Sequence, residues 1–104
     1  MQLQFKRRYV QPILAGRKRQ TLRATLPRGA RVGAPVSMAN GYRPGATFAR
    51  STITAVDEVR LDALTDGDAH LDGFASLADL RVAIRETYPT AETLWRVAWS
   101  PLGQ

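Results

Sequence analysis

Positions 15–23 read AGRKRQTLR and hold one glycine, four cations and one hydroxyl in nine residues. Charge this dense repels itself unless an anion neutralises it, so the segment reads either as a basic, solvated turn or as a loop that contacts phosphate. Further on, Asp68, His70, Asp72 and Gly73, with Asp79 in the twelfth place, mimic a calcium-binding loop. Histidine in the third place and aspartate in the twelfth depart from that loop, and an N-capping role for Asp68 explains the pattern more simply. His70 is the only histidine and there is no cysteine, so zinc sites, thiol nucleophiles and iron–sulfur clusters lack their ligands. No metal and no cofactor is expected. Tyr9, Tyr42, Phe48, Trp95 and Trp99 are the aromatic candidates for stacking on a base. Trp95 and Trp99, at strand spacing, read as core, which leaves Tyr42, beside the Asn40-Gly41 turn and Arg43, as the expected base contact.

The charge around these residues is strongly one-sided. The first 50 of the 104 residues carry eleven cations and no acid, whereas the remainder carries all nine acids and four arginines. Thirteen of the fifteen cations are arginine, whose planar fork matches phosphate and stacks on bases. A polyanion is the natural partner of such a half, and mutual neutralisation of the two halves across the fold is the plainer alternative. With 44% hydrophobic residues the chain suits a globular fold and not a disordered one. At this length one continuous core, hence one domain over 1–104, is expected without disulfides. The start turns to charge at Lys6, and no stretch approaches the roughly 18 apolar residues of a membrane span. These features predict a cytoplasmic protein with no membrane partner.

The elements that must carry the reactive residues can be read from periodicity. Residues 2–5 alternate, with Leu3 and Phe5 on one side, as an opening strand. Residues 9–15 show helical spacing of Val10, Ile13 and Leu14, with Gly16 as the residue that ends the turn. Residues 19–24 alternate again, Arg19, Thr21 and Arg23 on one face and Gln20 and Leu22 on the other. A strand over 34–38 ends at Asn40-Gly41, a two-residue hairpin signal. Residues 47–61, rich in Thr, Ile and Val, predict the longest strand, with Ala49, Ile53, Ala55, Val59 and Leu61 sharing one parity. Two helix starts follow, Thr65 with Asp68 and Ser76 with Asp79, each an N-cap with an acid three residues on. The second helix has the stripe Leu77, Leu80, Ile84 and Tyr88 and stops at Pro89. Residues 93–100 alternate as a closing strand, expected to pair with the first. Five strands and two or three short helices predict an α+β fold, a small, partly closed β-barrel.

Gly16, Lys18, Thr21 and Arg23, at those intervals, resemble the signature of the ASCH (activating signal cointegrator homology) domain family. The order of later features is similar too: Gly33 before a strand, the Thr-Ile-Thr-Ala-Val run at 52–56, Leu64-Thr65, Asp72-Gly73-Phe74, Tyr88-Pro89 and the terminal LWRVAW at 94–99. The resemblance covers nearly the whole chain. It implies a barrel similar to the PUA domain, a cleft lined by the signature, and work on RNA or its nucleosides. Some small ASCH proteins are amidohydrolases that remove the acyl group of N4-acetylcytidine; others bind or cut RNA.

In those amidohydrolases the working residues are a lysine and a threonine of the signature and a later glutamate. By resemblance these fall on Lys18, Thr21 and Asp72, the last one methylene shorter than the family residue. A threonine hydroxyl attacks an amide poorly until a base takes its proton, and a lysine serves as that base only if burial and nearby cations pull its pKa down. Arg17, Arg19 and Arg23 are the expected neighbours, and Asp72 would protonate the departing amine or orient Lys18. Lys18 and Thr21 differ by three and cannot share a strand face, so Lys18 must sit on the turn after Gly16 for the two to meet. Arg17, Lys18, Arg19, Arg23, Tyr42 and Arg43 are the expected contacts to RNA or to a modified nucleoside.

Overall fold

The Thr-, Ile- and Val-rich run forms a single 14-residue strand, β4 (Thr47–Arg60), and the rest of the sheet assembles on its two sides. In the computed structural model, which describes residues 1–102, β1 (Gln2–Gln4), β2 (Gln20–Arg23), β3 (Pro35–Ala39), β4 and β5 (Thr93–Trp99) form one sheet in the order β1-β3-β4-β5-β2. The last two residues of the expected 1–104 domain lie outside the described residues. Helix α1 (Val10–Leu14) follows a 3-10 turn at Arg7–Tyr9, and α2 (Asp66–Leu71) and α3 (Leu77–Thr87) fill the connection from β4 to β5. The result is the expected α+β architecture, a half-barrel of five strands with short helices.

Both predicted caps are present. Thr65 accepts from the Asp68 amide while the Asp68 carboxylate accepts from the Thr65 amide, closing a capping box, and Ser76 accepts from the Asp79 amide at 3.1 Å. Apolar residues divide between two cores. Leu3, Phe5, Ile13, Val36, Met38, Ile53, Val97 and Trp99 fill the barrel, with Trp99 edge-on to Phe5 at 5.9 Å between ring centres. Leu22, Leu64, Ala69, Leu80, Ile84 and Leu94 seat α2 and α3 on the sheet. Trp95 is only half-buried.

Three expectations about the strands need correction. The closing strand pairs with β4 and β2, not with β1, which runs parallel to β3. The reason is burial: β5 gives Leu94 to one core and Val97 and Trp99 to the other, which requires an interior place, while the three-residue β1 suits an edge. Asn40-Gly41 does not make a two-residue hairpin, because Ala39 pairs with Thr47 and residues 40–46 form the connection. The Asn40 side chain donates through Nδ2 to the Phe5 carbonyl at 2.8 Å, while its backbone amide donates to the Ala46 carbonyl at 3.1 Å across the longer connection. Finally, a bulge between Ile53 and Ala55 switches the parity of β4, so Val56 joins Ile53 in the barrel core; the strand ends at Arg60, and Leu61 opens a 3-10 turn.

Candidate functional site

Lys18 reaches the site through the turn that Gly16 makes. Gly16, at φ +79, ends α1, and the amides of Arg17 and Lys18 both donate to the Pro12 carbonyl, at 2.9 and 3.0 Å. The chain then runs alongside the end of α2. Lys18 pairs with Asp72 in an isolated antiparallel bridge, and the Arg19 amide donates to the Leu71 carbonyl at 2.6 Å. Asp72 is the last residue of α2's cap, and Gly73, at φ +90, turns the chain away. A Cβ on Gly73 would lie 3.1 Å from the Lys18 Cβ, so this glycine is required both by its backbone angle and by the close passage of Lys18.

The side chains converge on a cavity of about 190 Å³. Lys18, Thr21, Arg23 and Asp72 are in its wall together with Gln4, Phe5, Lys6, Tyr9, Phe74 and Tyr88. At 3% and 5% exposure, Lys18 and Asp72 form a buried ion pair, and Lys18 Nζ also donates to the Asp72 carbonyl at 3.1 Å. The ammonium sits over the Tyr9 ring, 4.8 Å from its centre. Burial pushes Lys18 below its ordinary value, against the pull of Asp72, with Arg23 and Arg8 adding to the fall. Burial likewise pushes Asp72 up, against Lys18. In both groups burial works against the charged form and the charge of the partner works for it.

Thr21, 5% exposed, accepts a hydrogen bond from Arg23 Nε at 3.0 Å, which leaves the hydroxyl proton free to be donated. Arg23 Nη2 donates to the Gln4 carbonyl at 2.7 Å, and its guanidinium lies 5.0 Å from the centre of the Phe5 ring. One side chain thus holds the Thr21 oxygen and ties β2 to β1, the two edges of the half-barrel. Lys18 stands before β2 begins, as the three-residue spacing to Thr21 demanded. Arg17, Arg19, Tyr42 and Arg43 are exposed and are not in the cavity wall; Tyr42 is 87% exposed on the 40–46 connection, where Arg43 donates to the Asn40 carbonyl at 2.9 Å. The cation near Lys18 that chain order did not suggest is Arg8, stacked 4.9 Å from Tyr9. Tyr9, one of five aromatic candidates, is the one beside Lys18, and Phe74 packs edge-on to it at 6.2 Å.

Behind the site lies a polar group that periodicity did not disclose. Arg96, on β5, donates to both carboxylate oxygens of Asp57 at 3.0 and 2.6 Å and to Asp68 at 2.5 Å. Gln20, 2% exposed, reaches the Asp68 carboxylate at 3.4 Å. Burial raises Asp68, but the Thr65 amide and Arg96 outweigh it and hold the carboxyl below its ordinary value. The signal in the sequence was an arginine set inside the otherwise apolar run at 94–99. The Asp68 and Asp72 oxygens of the calcium-like spacing are thus directed at Arg96 and Lys18.

No protein-family model and no curated protein matches the sequence. Solved structures do match the fold. An ASCH domain from Lactobacillus crispatus superposes with a TM-score of 0.69 at 18% identity, over 90% of this chain and 70% of that one. ASCH from Zymomonas mobilis gives 0.72 at 13% identity, over 95% and 65%. The chain has the ASCH-domain fold. A third structural neighbour, a protein of Enterococcus faecalis V583, gives a TM-score of 0.64 at 16% identity over 93% of this chain and 72% of that one. The chain spans just under two thirds of the length of the Zymomonas protein. Among the described residues, no helix of this ASCH fold is long and apolar enough to cross a membrane.

Proposed function

We propose that this ASCH-fold protein hydrolyses the amide of an acylated nucleobase of the N4-acetylcytidine type, with no cofactor. The observation that carries the reading is that the buried Lys18/Asp72 pair and the Arg23-held Thr21 hydroxyl open into one cavity. Its volume of about 190 Å³ equals the share of roughly six waters, enough for one ring and a short acyl arm with the sugar at the mouth. Phe5, Tyr9 and Phe74 supply ring faces and edges, and Lys6 adds positive charge at the wall.

In this reading Lys18 acts as the amine and Asp72 as the carboxylic acid, the uncharged forms toward which burial shifts both groups. Thr21 Oγ1 attacks the acyl carbon while its proton passes to Lys18, and Arg23 Nε stabilises the charge on the oxygen. The C–N bond breaks as Asp72 protonates the departing N4 amine, which leaves cytidine and an acyl ester on Thr21. Lys18 returns its proton to Asp72; water then attacks the ester as its proton passes to Lys18 and on to the departing Thr21 oxygen, which restores the hydroxyl and releases the carboxylic acid. The short aspartate suffices because the bridge at Lys18 and Asp72 brings the two backbones side by side.

Incubation with N4-acetylcytidine and measurement of released cytidine tests the reading. Thr21→Ala, Lys18→Met and Asp72→Asn should each lower kcat by about a hundredfold or more, and Asp72→Asn should keep its affinity for substrate. A second reading has its own observation: exposed Arg7, Arg8, Arg17 and Arg19, with no acid in the first 50 residues, favour an RNA-binding module or a ribonuclease with the same basic cleft. Tight, salt-sensitive RNA binding without cytidine release would replace the first reading by the binding module, and cleaved RNA would replace it by the nuclease.

A further inference from the structure

Asp72 is carried by a helix of only six residues, and what fixes that helix is off the cavity wall. Its first turn is held by Asp68, whose carboxylate takes the Thr65 amide and hydroxyl at 3.1 and 3.2 Å, Gln20 at 3.4 Å and Arg96 at 2.5 Å. Its last turn is held by Arg19 on the Leu71 carbonyl, and the Asp72 amide closes on the Asp68 carbonyl at 2.9 Å. Arg96 in turn is fixed to the sheet, standing opposite Leu22 on β2 and Asp57 on β4, with both Asp57 oxygens engaged. The chain of contacts therefore runs unbroken from the strand that bears Thr21, through Arg96 and Asp68, to the carboxylate that meets Lys18. A short aspartate tolerates little error in the height of its helix, since it has no spare methylene to take up a shift.

We infer that Arg96 is a positioning residue: by clamping Asp68 to Asp57 it sets the seating of α2 on the sheet and thereby the contact of Asp72 with Lys18. The inference rests on the amidohydrolase reading for its kinetic consequence but not for its structural one, so the two are read separately. The chain has only two lysines, Lys6 and Lys18, which makes lysine-selective isotope labelling with NMR detection of the side-chain nitrogen a direct view of Lys18. The groups that face the pair are Arg23 and Asp68 around Asp72, and Arg23 and Arg8 around Lys18, and none of them is altered in the variants. Arg96→Met should shift the Lys18 titration and lower kcat on N4-acetylcytidine by about ten- to a hundredfold with KM little changed; Arg96→Lys, which offers one donor to Asp68, should recover part of both. Asp57→Asn, which leaves Arg96 on Asp68, should move both readouts in the same direction by less, and it decides the matter if Arg96→Met fails to fold. A Lys18 titration identical to that of the unaltered protein in the folded variants overturns the clamp whatever the kinetics show. Absent turnover in the unaltered protein with a shifted Lys18 overturns only the amidohydrolase reading.

Discussion

At the residue scale, the Lys18/Asp72 pair sets function against stability. Burial raises Asp72, so above the ordinary carboxylate value of 3.8 the unfolded chain has released a proton that the folded chain retains. It lowers Lys18, so below 10.5 the unfolded chain holds a proton that the folded chain lacks. The first penalty grows as pH rises through the carboxylate range, and the second fades only as pH approaches 10.5, so the pair contributes least between those values. Replacing both partners with neutral groups of similar size, Lys18→Met with Asp72→Asn, should raise stability at pH 7 by about 1 to 4 kcal/mol, while Lys18→Met alone, which strands the carboxyl, should lower it by about 3 to 5 kcal/mol. Denaturant unfolding of the two variants beside the parent checks both signs. The gain should shrink as the pH is taken toward 10.5, where the parent recovers the lysine's share.

At the element scale, the turns that hold α2 and α3 are as consequential as the helices. Gly73→Ala forces a positive φ on a residue with a Cβ and drives that carbon against Lys18; it should lower stability by about 1 to 2 kcal/mol and reduce kcat further than that loss explains. Ser76→Ala removes the α3 cap, far from Lys18 in the chain, and should lower stability by about 1 kcal/mol with kcat unchanged. Chemical denaturation and cytidine release measured on the same samples separate the two. Helix starts of this kind were legible in the sequence because both partners of each cap lie within four residues. The contact of Lys18 with Asp72 spans 54 positions, and no local spacing encodes it; resemblance alone put the two together. The place of β5 was misjudged for a related reason: alternation shows which residues share a face but not that Leu94 and Val97 face different cores. Gln20 and Arg96 escaped notice because their partner, Asp68, comes from a helix that neither strand's pattern mentions.

At the scale of the whole molecule, the uneven charge makes a prediction that does not depend on catalysis. With Arg7, Arg8, Arg17 and Arg19 exposed near one end of the chain, binding of single-stranded RNA should weaken linearly in log–log with salt, and each Arg→Gln change at a contacting position should flatten the slope by about 0.7. A fluorescence titration at several salt concentrations measures it, and a flat dependence would exclude a backbone-tracking surface there. The same scale shows what Arg23 is worth to the fold. A single guanidinium links β2 to β1 across the open side of the half-barrel and grips the hydroxyl beside it, so closure and the placing of that hydroxyl are inherited together. A descendant that lost this arginine would surrender both at a stroke. Lysine could not stand in, because one compact ammonium lacks the forked geometry that serves two acceptors at once.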